Sequence, residues 1–161
     1  VPTLIIPAVP KTPKHSAPES DYHFSDQIGH LLRRAYQRHV AIFQQAIPDS
    51  QLTAAQFVTL CAVQDRGSCS LNEIVKTTAI DQATIRGVVE RLKARGLIDV
   101  AADPSDGRKV LVTPTAEGVA LIERTVPFAH QISEETFASF NPAERLAIVY
   151  LLRKMVNGEP E

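Results

Sequence analysis

Residues 81–118 read DQATIRGVVERLKARGLIDVAADPSDGRKVLVTPTAEG, and their pattern decides the fold. Ile85, Val88, Val89 and Leu92 recur at spacings of three, one and three, the apolar stripe of an amphipathic helix. The opposite face carries Ala83 and Gly87 among Gln82, Thr84, Arg86 and Arg91. Small residues let a helix lie close to a polar surface, while amide, hydroxyl and guanidinium groups address base edges and phosphates. An apolar run from Leu97 to Ala101 breaks at Asp103-Pro104-Ser105-Asp106-Gly107 and resumes as Val110, Leu111 and Val112. Two short β-prone runs around such a turn make a hairpin, with Arg108 just past its tip. A helix followed by a wing is the predicted order, and it suits duplex DNA.

Working outward, a helix is predicted from about Phe24 to Ala46, with Ile28, Leu31, Leu32, Ala35, Ile42 and Phe43 as its stripe and Pro48 as its stop. Thr53 to Gln56 and Ser70 to Glu73 have the form of capping boxes, each opening a short helix. Asp81 is a natural N-cap for the next helix and Gly96 its C-cap. Two short helices followed by a third form a helix-turn-helix. Beyond the hairpin, Thr113-Pro114 pairs an N-cap with a first-turn proline, starting a long helix that Pro127 is expected to kink. Asn141, Pro142 and Glu144 open a last helix bearing Leu146, Ile148, Val149, Leu151, Leu152 and Met155.

The fold class is therefore mainly α with a small β-wing: a winged helix-turn-helix over 51–113, with a helical dimerisation domain formed by the N- and C-terminal helices, 23–50 and 114–157. Residues 1–22, with their prolines, read as a flexible arm and not as a signal peptide, because no charged leader precedes a continuous apolar run. The terminal helices carry more apolar surface than a closed central domain can cover. A self-complementary homodimer is expected, with two reading helices about one DNA turn apart on a near-palindromic site.

Composition sets the outer bounds. At 161 residues and 44% hydrophobic, the chain is long enough for one core, and its net charge of −1 shows no global basic excess. The charge is unevenly placed. Arg33, Arg34 and Arg38 follow one another with no acid between, and from Thr84 to Arg95 only Glu90 opposes Arg86, Arg91, Lys93 and Arg95. Local positive charge is enough for a DNA binder. The alternative that near-neutrality favours is a winged-helix module that binds a protein and not DNA. Two cysteines make neither a disulfide framework nor a metal site; a buried Cys61 and a loop Cys69 in a reducing cytosol are expected, with no redox switch. No apolar run approaches the ~18 residues of a bilayer span, so no membrane partner is expected. There is no nucleophile elbow, H-E-x-x-H, phosphate-binding glycine loop or C-x-x-C, and the adjacent Glu134 and Glu135 read as surface charge. Catalysis is not expected, nor a metal or cofactor; His39 and His130 have no partner at metal spacing.

From Ser25 to Val156 the residues resemble the MarR family of bacterial transcriptional regulators. The likeness is strongest in ERLKARGLIDVAADPSDGRKVLVTPTAEG, where the R-L-x-x-x-G-L step, the D-x-x-D-x-R wing and the following T-x-x-G stand at family spacing. The resemblance implies a dimer of six helices with a wing between the fourth and fifth, and ligand-modulated binding of double-stranded DNA. It also implies that Gln82, Thr84 and Arg86 address the major groove and that Arg108 enters the minor groove with Asp106 holding it. Arg91, on the same helix in register with the wing, is expected to contact DNA rather than be a solvated charge. Where many members have a second wing arginine this chain has Lys109, a point charge without a planar fork. Within the family, GHLLRRAYQRHVAIFQQAIPDSQLTAAQF is similar to regulators of aromatic-acid degradation, above all the nicotinate-degradation repressors. This implies a small aromatic carboxylate such as 6-hydroxynicotinate as effector.

His30, Arg33, Arg34 and Gln37 share helical spacings and are the candidate ligand residues on the first helix, with Thr53, Gln56 and Thr59 on the facing one. A carboxylate calls for a fixed cation, and an imidazole or amide can read a ring nitrogen or hydroxyl. The competing reading has the arginines pairing with acids across a dimer. Neighbours on a helix diverge by about 100°, so one of the two faces solvent. Lys93 and Arg95 read as solvent or phosphate partners.

Overall fold

A computed structural model describes residues 23–158; the arm expected over 1–22 lies outside the described residues. A 3-10 turn at Phe24–Asp26 precedes α1 (Ile28–Ala46), so the first α-helix starts four residues later than expected. Helix α2 (Ala54–Arg66), the short strand β1 (Cys69–Ser70), α3 (Leu71–Thr78) and α4 (Gln82–Ala94) follow, then β2 (Ile98–Asp103), β3 (Asp106–Pro114), α5 (Ala116–Thr136) and α6 (Pro142–Asn157).

Helix starts follow local hydrogen bonding. The Thr53 hydroxyl accepts from the Gln56 amide at 3.2 Å while the Gln56 side chain accepts from the Thr53 amide at 3.0 Å. Ser70 with Glu73 and Asn141 with Glu144 repeat the arrangement. At the end of α4, Leu97 N–H donates to Leu92 C=O and Gly96 N–H to Lys93 C=O, a Schellman closure. The C-cap itself is Arg95; Gly96 is the residue after it, with the positive φ of 69° that the closure requires.

One expectation at α5 is corrected. Its N-cap is Thr115, whose hydroxyl accepts from Gly118 N–H at 3.0 Å, and Pro114 instead ends β3 opposite Ile98. Proline is acceptable there because strand ends need fewer amide donors. Pro127 sits inside an unbroken α5.

The wing is a three-stranded antiparallel sheet of order β1-β3-β2, one strand more than the hairpin alone. Cys69 pairs with Val112 in this sheet and is buried, which corrects its expected place in a loop, while Cys61 is only half-buried. Burial first, then Asp65, pushes the Cys61 thiol up to about 11, and burial likewise raises Cys69. Both thiols are protonated at neutral pH.

One contiguous core runs from Phe43 and Ile47 through Leu60, Val63, Ile74, Ile85, Val88 and Leu92 to Val112, Leu121 and Ile132. It uses the predicted stripe of α4 in full. The terminal helices contrast with it. Helix α6 has no buried residue, and Leu146, Tyr150, Leu151, Met155 and Val156 stand exposed, as do Ile28, Leu31 and Tyr36 of α1. Val156 keeps 82% of its surface accessible. Among the described residues, no helix is long and apolar enough to cross a membrane.

Candidate nucleic-acid interface

The buried stripe of α4 turns its opposite face outward, leaving Gln82, Thr84, Arg86 and Arg91 exposed. Asp81 organises its start. One carboxylate oxygen accepts from the Thr84 amide at 2.9 Å and the other from the Thr84 hydroxyl at 2.6 Å. Those two bonds, the hydroxyl's first, hold the Asp81 carboxyl below its ordinary value. With its proton given to Asp81, the Thr84 hydroxyl has lone pairs and a methyl group left for a neighbour. The Arg91 guanidinium folds back along the helix over Gly87, 3.6 Å from where a Cβ would stand. Among the described residues neither Arg86 nor Arg91 meets a carboxylate at ion-pair distance.

The wing ends beside this face. Asp103 caps the turn by accepting from the Ser105 hydroxyl and amide at 2.7 and 2.8 Å, and these bonds lower its carboxyl. Asp106 lies 3.5 Å from both Arg108 Nε and Lys109 Nζ and accepts from the Arg108 amide. It therefore orients two cations, while the Arg108 side chain remains almost wholly exposed. Between the wing and α3, a cleft of about 460 Å³ is lined by Ser70, Asn72, Gln82, Arg108, Lys109 and Leu111. Asn72 had no sequence signal; it lies inside the Ser70–Glu73 capping box, whose spacing accounted for the residues at its two ends.

The candidate ligand residues fall into three groups. His30 is half-buried, its ring edge-on to Phe24 at 5.2 Å, while Arg33, Arg34 and Gln37 are exposed along α1. Thr53 and Gln56 are occupied by their reciprocal cap. Thr59 is fully buried and its hydroxyl has no hydrogen-bond partner. A buried orphan hydroxyl is uncommon and calls for a partner. Elsewhere, the Thr136 hydroxyl donates to Ile132 C=O at 2.8 Å, so at 2.9 Å His39 Nδ1–H is the donor that joins α1 to α5. Arg95, expected as a solvent or phosphate partner, is largely shielded and donates from Nη2 to Asp49. Among the described residues, no cluster of His, Cys, Asp and Glu is placed to hold a metal ion.

A helix-turn-helix whose reading helix presents unpaired arginines, beside a wing whose Arg108 and Lys109 are exposed and share the single carboxylate of Asp106, defines a winged-helix DNA-binding protein. The MarR family pattern matches residues 50–109, spanning the connector before α2 to the wing. The chain is 56% identical over 151 residues to the HTH-type transcriptional repressor NicR of Pseudomonas putida, covering 92% of this chain and 96% of that one. It belongs to the MarR family and is a DNA-binding transcriptional regulator, not an enzyme. Among solved structures it is similar to Bordetella bronchiseptica BpsR, whose DNA binding is regulated by 6-hydroxynicotinic acid. There the TM-score is 0.79 and the identity 69%, over 84% of this chain and 98% of that one. A mutant of Escherichia coli MarR complexed with operator DNA matches with a TM-score of 0.74 and 25% identity, over 82% of this chain and 96% of that one.

Proposed function

We propose that the chain is a cytoplasmic homodimeric repressor of an aromatic-acid degradation operon, that of nicotinate, released from a palindromic operator by 6-hydroxynicotinate. The observation that carries this reading is the pairing of an outward α4 face, whose Arg86 and Arg91 meet no carboxylate, and an exposed wing Arg108 with terminal helices whose apolar residues stand uncovered. The segments 23–50 and 114–157 pair two copies, and 51–113 forms each reading head. Gln82 and Arg86 read base edges in the major groove, Thr84 offers its lone pair and methyl group there, Arg91 meets phosphate, and Arg108 enters the minor groove. The effector follows from likeness to NicR and BpsR. Arg33 or Arg34 answers its carboxylate; His30, Gln37 and the orphan hydroxyl of Thr59 address its ring substituents; Thr53 and Gln56 hold α2 in place. Release requires that the effector bind better to a dimer with misplaced reading heads, because only differential affinity shifts the equilibrium.

Fluorescence anisotropy with the chain's own upstream DNA tests this reading. Salt-dependent sequence-specific binding is expected, abolished by 6-hydroxynicotinate and not by benzoate. Arg86→Ala is expected to cost ~1–3 kcal/mol on the operator and little on unrelated DNA. Release by benzoate alone overturns the effector assignment, and equal loss on all sequences makes Arg86 a phosphate contact.

A further inference from the structure

The connector between α1 and α2 touches the end of the reading helix. Asp49 lies just past Ile47 and Pro48, in a segment fixed by its own hydrogen bonds. Its carboxylate accepts from Gln51 N–H at 3.0 Å, its carbonyl from Leu52 N–H at 2.9 Å, and Gln44 of α1 donates to Ser50 C=O at 3.3 Å. Ile47 and Leu52, on either side, are buried. The connector is thus internally braced and bonded to the end of α1. Arg95, the C-cap of α4, donates from Nη2 to the Asp49 carboxylate, and both side chains are about three-quarters shielded from solvent. Its Nη1 is buried with no partner among the described residues, so the contact with Asp49 is what fixes the guanidinium in the protein.

The opposite side of the same helix end is also fixed. The Thr115 hydroxyl donates to Gly96 C=O at 2.7 Å, and Thr115 N–H donates to Leu97 C=O at 3.2 Å. The reading helix thus ends between α5 on one side and the α1 connector on the other. Its remaining packing is chiefly with α2, α3 and β2, inside the reading head.

We propose that Arg95 is a positioning residue, and that the Arg95–Asp49 pair is the tie through which α1 sets the attitude of α4. The pair touches no DNA in this scheme; it fixes the separation and rotation of the two reading helices in a dimer. One base pair of change in half-site separation moves the targets by about 3.4 Å and turns them around the duplex, and a reading head held at a set angle discriminates against it. The proposal rests on the DNA-binding dimer argued above but not on its effector.

The experiment measures binding of the full chain, without effector, to the operator at native half-site spacing and with one base pair added or removed between half-sites. Asp49→Asn and Arg95→Met are expected to lower the wild-type preference for native spacing by about threefold or more, with Arg95→Lys retaining most of it. The double variant Asp49→Asn/Arg95→Met leaves no lone buried charge, so it keeps a near-native melting temperature yet loses the preference. This separates positioning from folding. An unchanged preference in the double variant overturns the proposal. So does indifference of the wild type to spacing, or a fall of about one in the salt slope of Arg95→Met, which would assign Arg95 to a phosphate. Failure of 6-hydroxynicotinate to release DNA shows only in the effector titration and leaves this comparison intact.

Discussion

Gly118 is placed where no other residue fits. A Cβ there would lie 2.1 Å from the carbonyl oxygen of Leu97 and 3.3 Å from Leu60 Cδ1. The carbonyl cannot retreat easily, because Leu97 is buried, its amide is bonded to Leu92 and its oxygen to Thr115. Gly118→Ala is expected to destabilise the fold by ~3 kcal/mol, read by urea denaturation at fixed protein concentration. Gly87 presents the opposite case. Its nearest neighbour is the Arg91 guanidinium at 3.6 Å, the far end of a flexible side chain, and its φ is not positive. Nothing in the free protein requires glycine there, and a helix-interior glycine costs about 1 kcal/mol relative to alanine. Gly87→Ala is therefore expected to raise stability by about that amount while weakening operator binding, as measured by denaturation and anisotropy. Undiminished binding would place the groove contact elsewhere on α4.

Among the elements, α4 combines an ordinary cap with an unusual situation, a carboxylate at the start of the helix proposed to enter the DNA groove. Asp81→Asn retains a good N-cap and removes the charge; Asp81→Ala removes both. The asparagine variant is expected to keep its stability and bind DNA of any sequence more tightly, and the alanine variant to lose ~1 kcal/mol of stability, both checked by paired denaturation and binding curves. This helix and its cap were legible because periodicity and capping are local properties of the chain. The start of α5 was not. Thr113 and Thr115 both precede a plausible first turn, and the choice between them is made by the strand pairing of Pro114 with Ile98 and by the Thr115 bond to Gly96. Strand β1 was missed for the same reason, since two residues carry no period and only β3 makes them a strand. In the candidate site, the exposed face of α4 could be read directly, and the wing acid Asp106 through the family resemblance. The partner of Arg95 stands 46 residues away and leaves no trace in spacing.

Over the whole molecule, carboxylates held in ionised form set the response to acid. Burial pushes Asp49 up, but Arg95, Gln51 and Leu52 outweigh it and its net shift is downward. Hydrogen bonds from Ser70 lower Glu73, and those described above lower Asp81 and Asp103. A carboxylate whose folded pKa lies below its unfolded one adds stability that is complete above the unfolded value and fades as pH falls through the folded value. With ordinary values of 3.8 for aspartate and 4.5 for glutamate, urea midpoints are expected to stay level between pH 7 and about pH 5 and to fall below about pH 4. A decline already under way between pH 7 and pH 5 would overturn the assignment to these carboxylates. The uncovered residues of α1 and α6 carry a genetic consequence. A copy with a ruined reading head retains intact terminal helices, so it will still recruit a sound copy and disable it. Loss-of-function changes in 81–109 should therefore act dominantly over a wild-type allele, whereas changes that strip Leu146, Tyr150 or Met155 should be recessive.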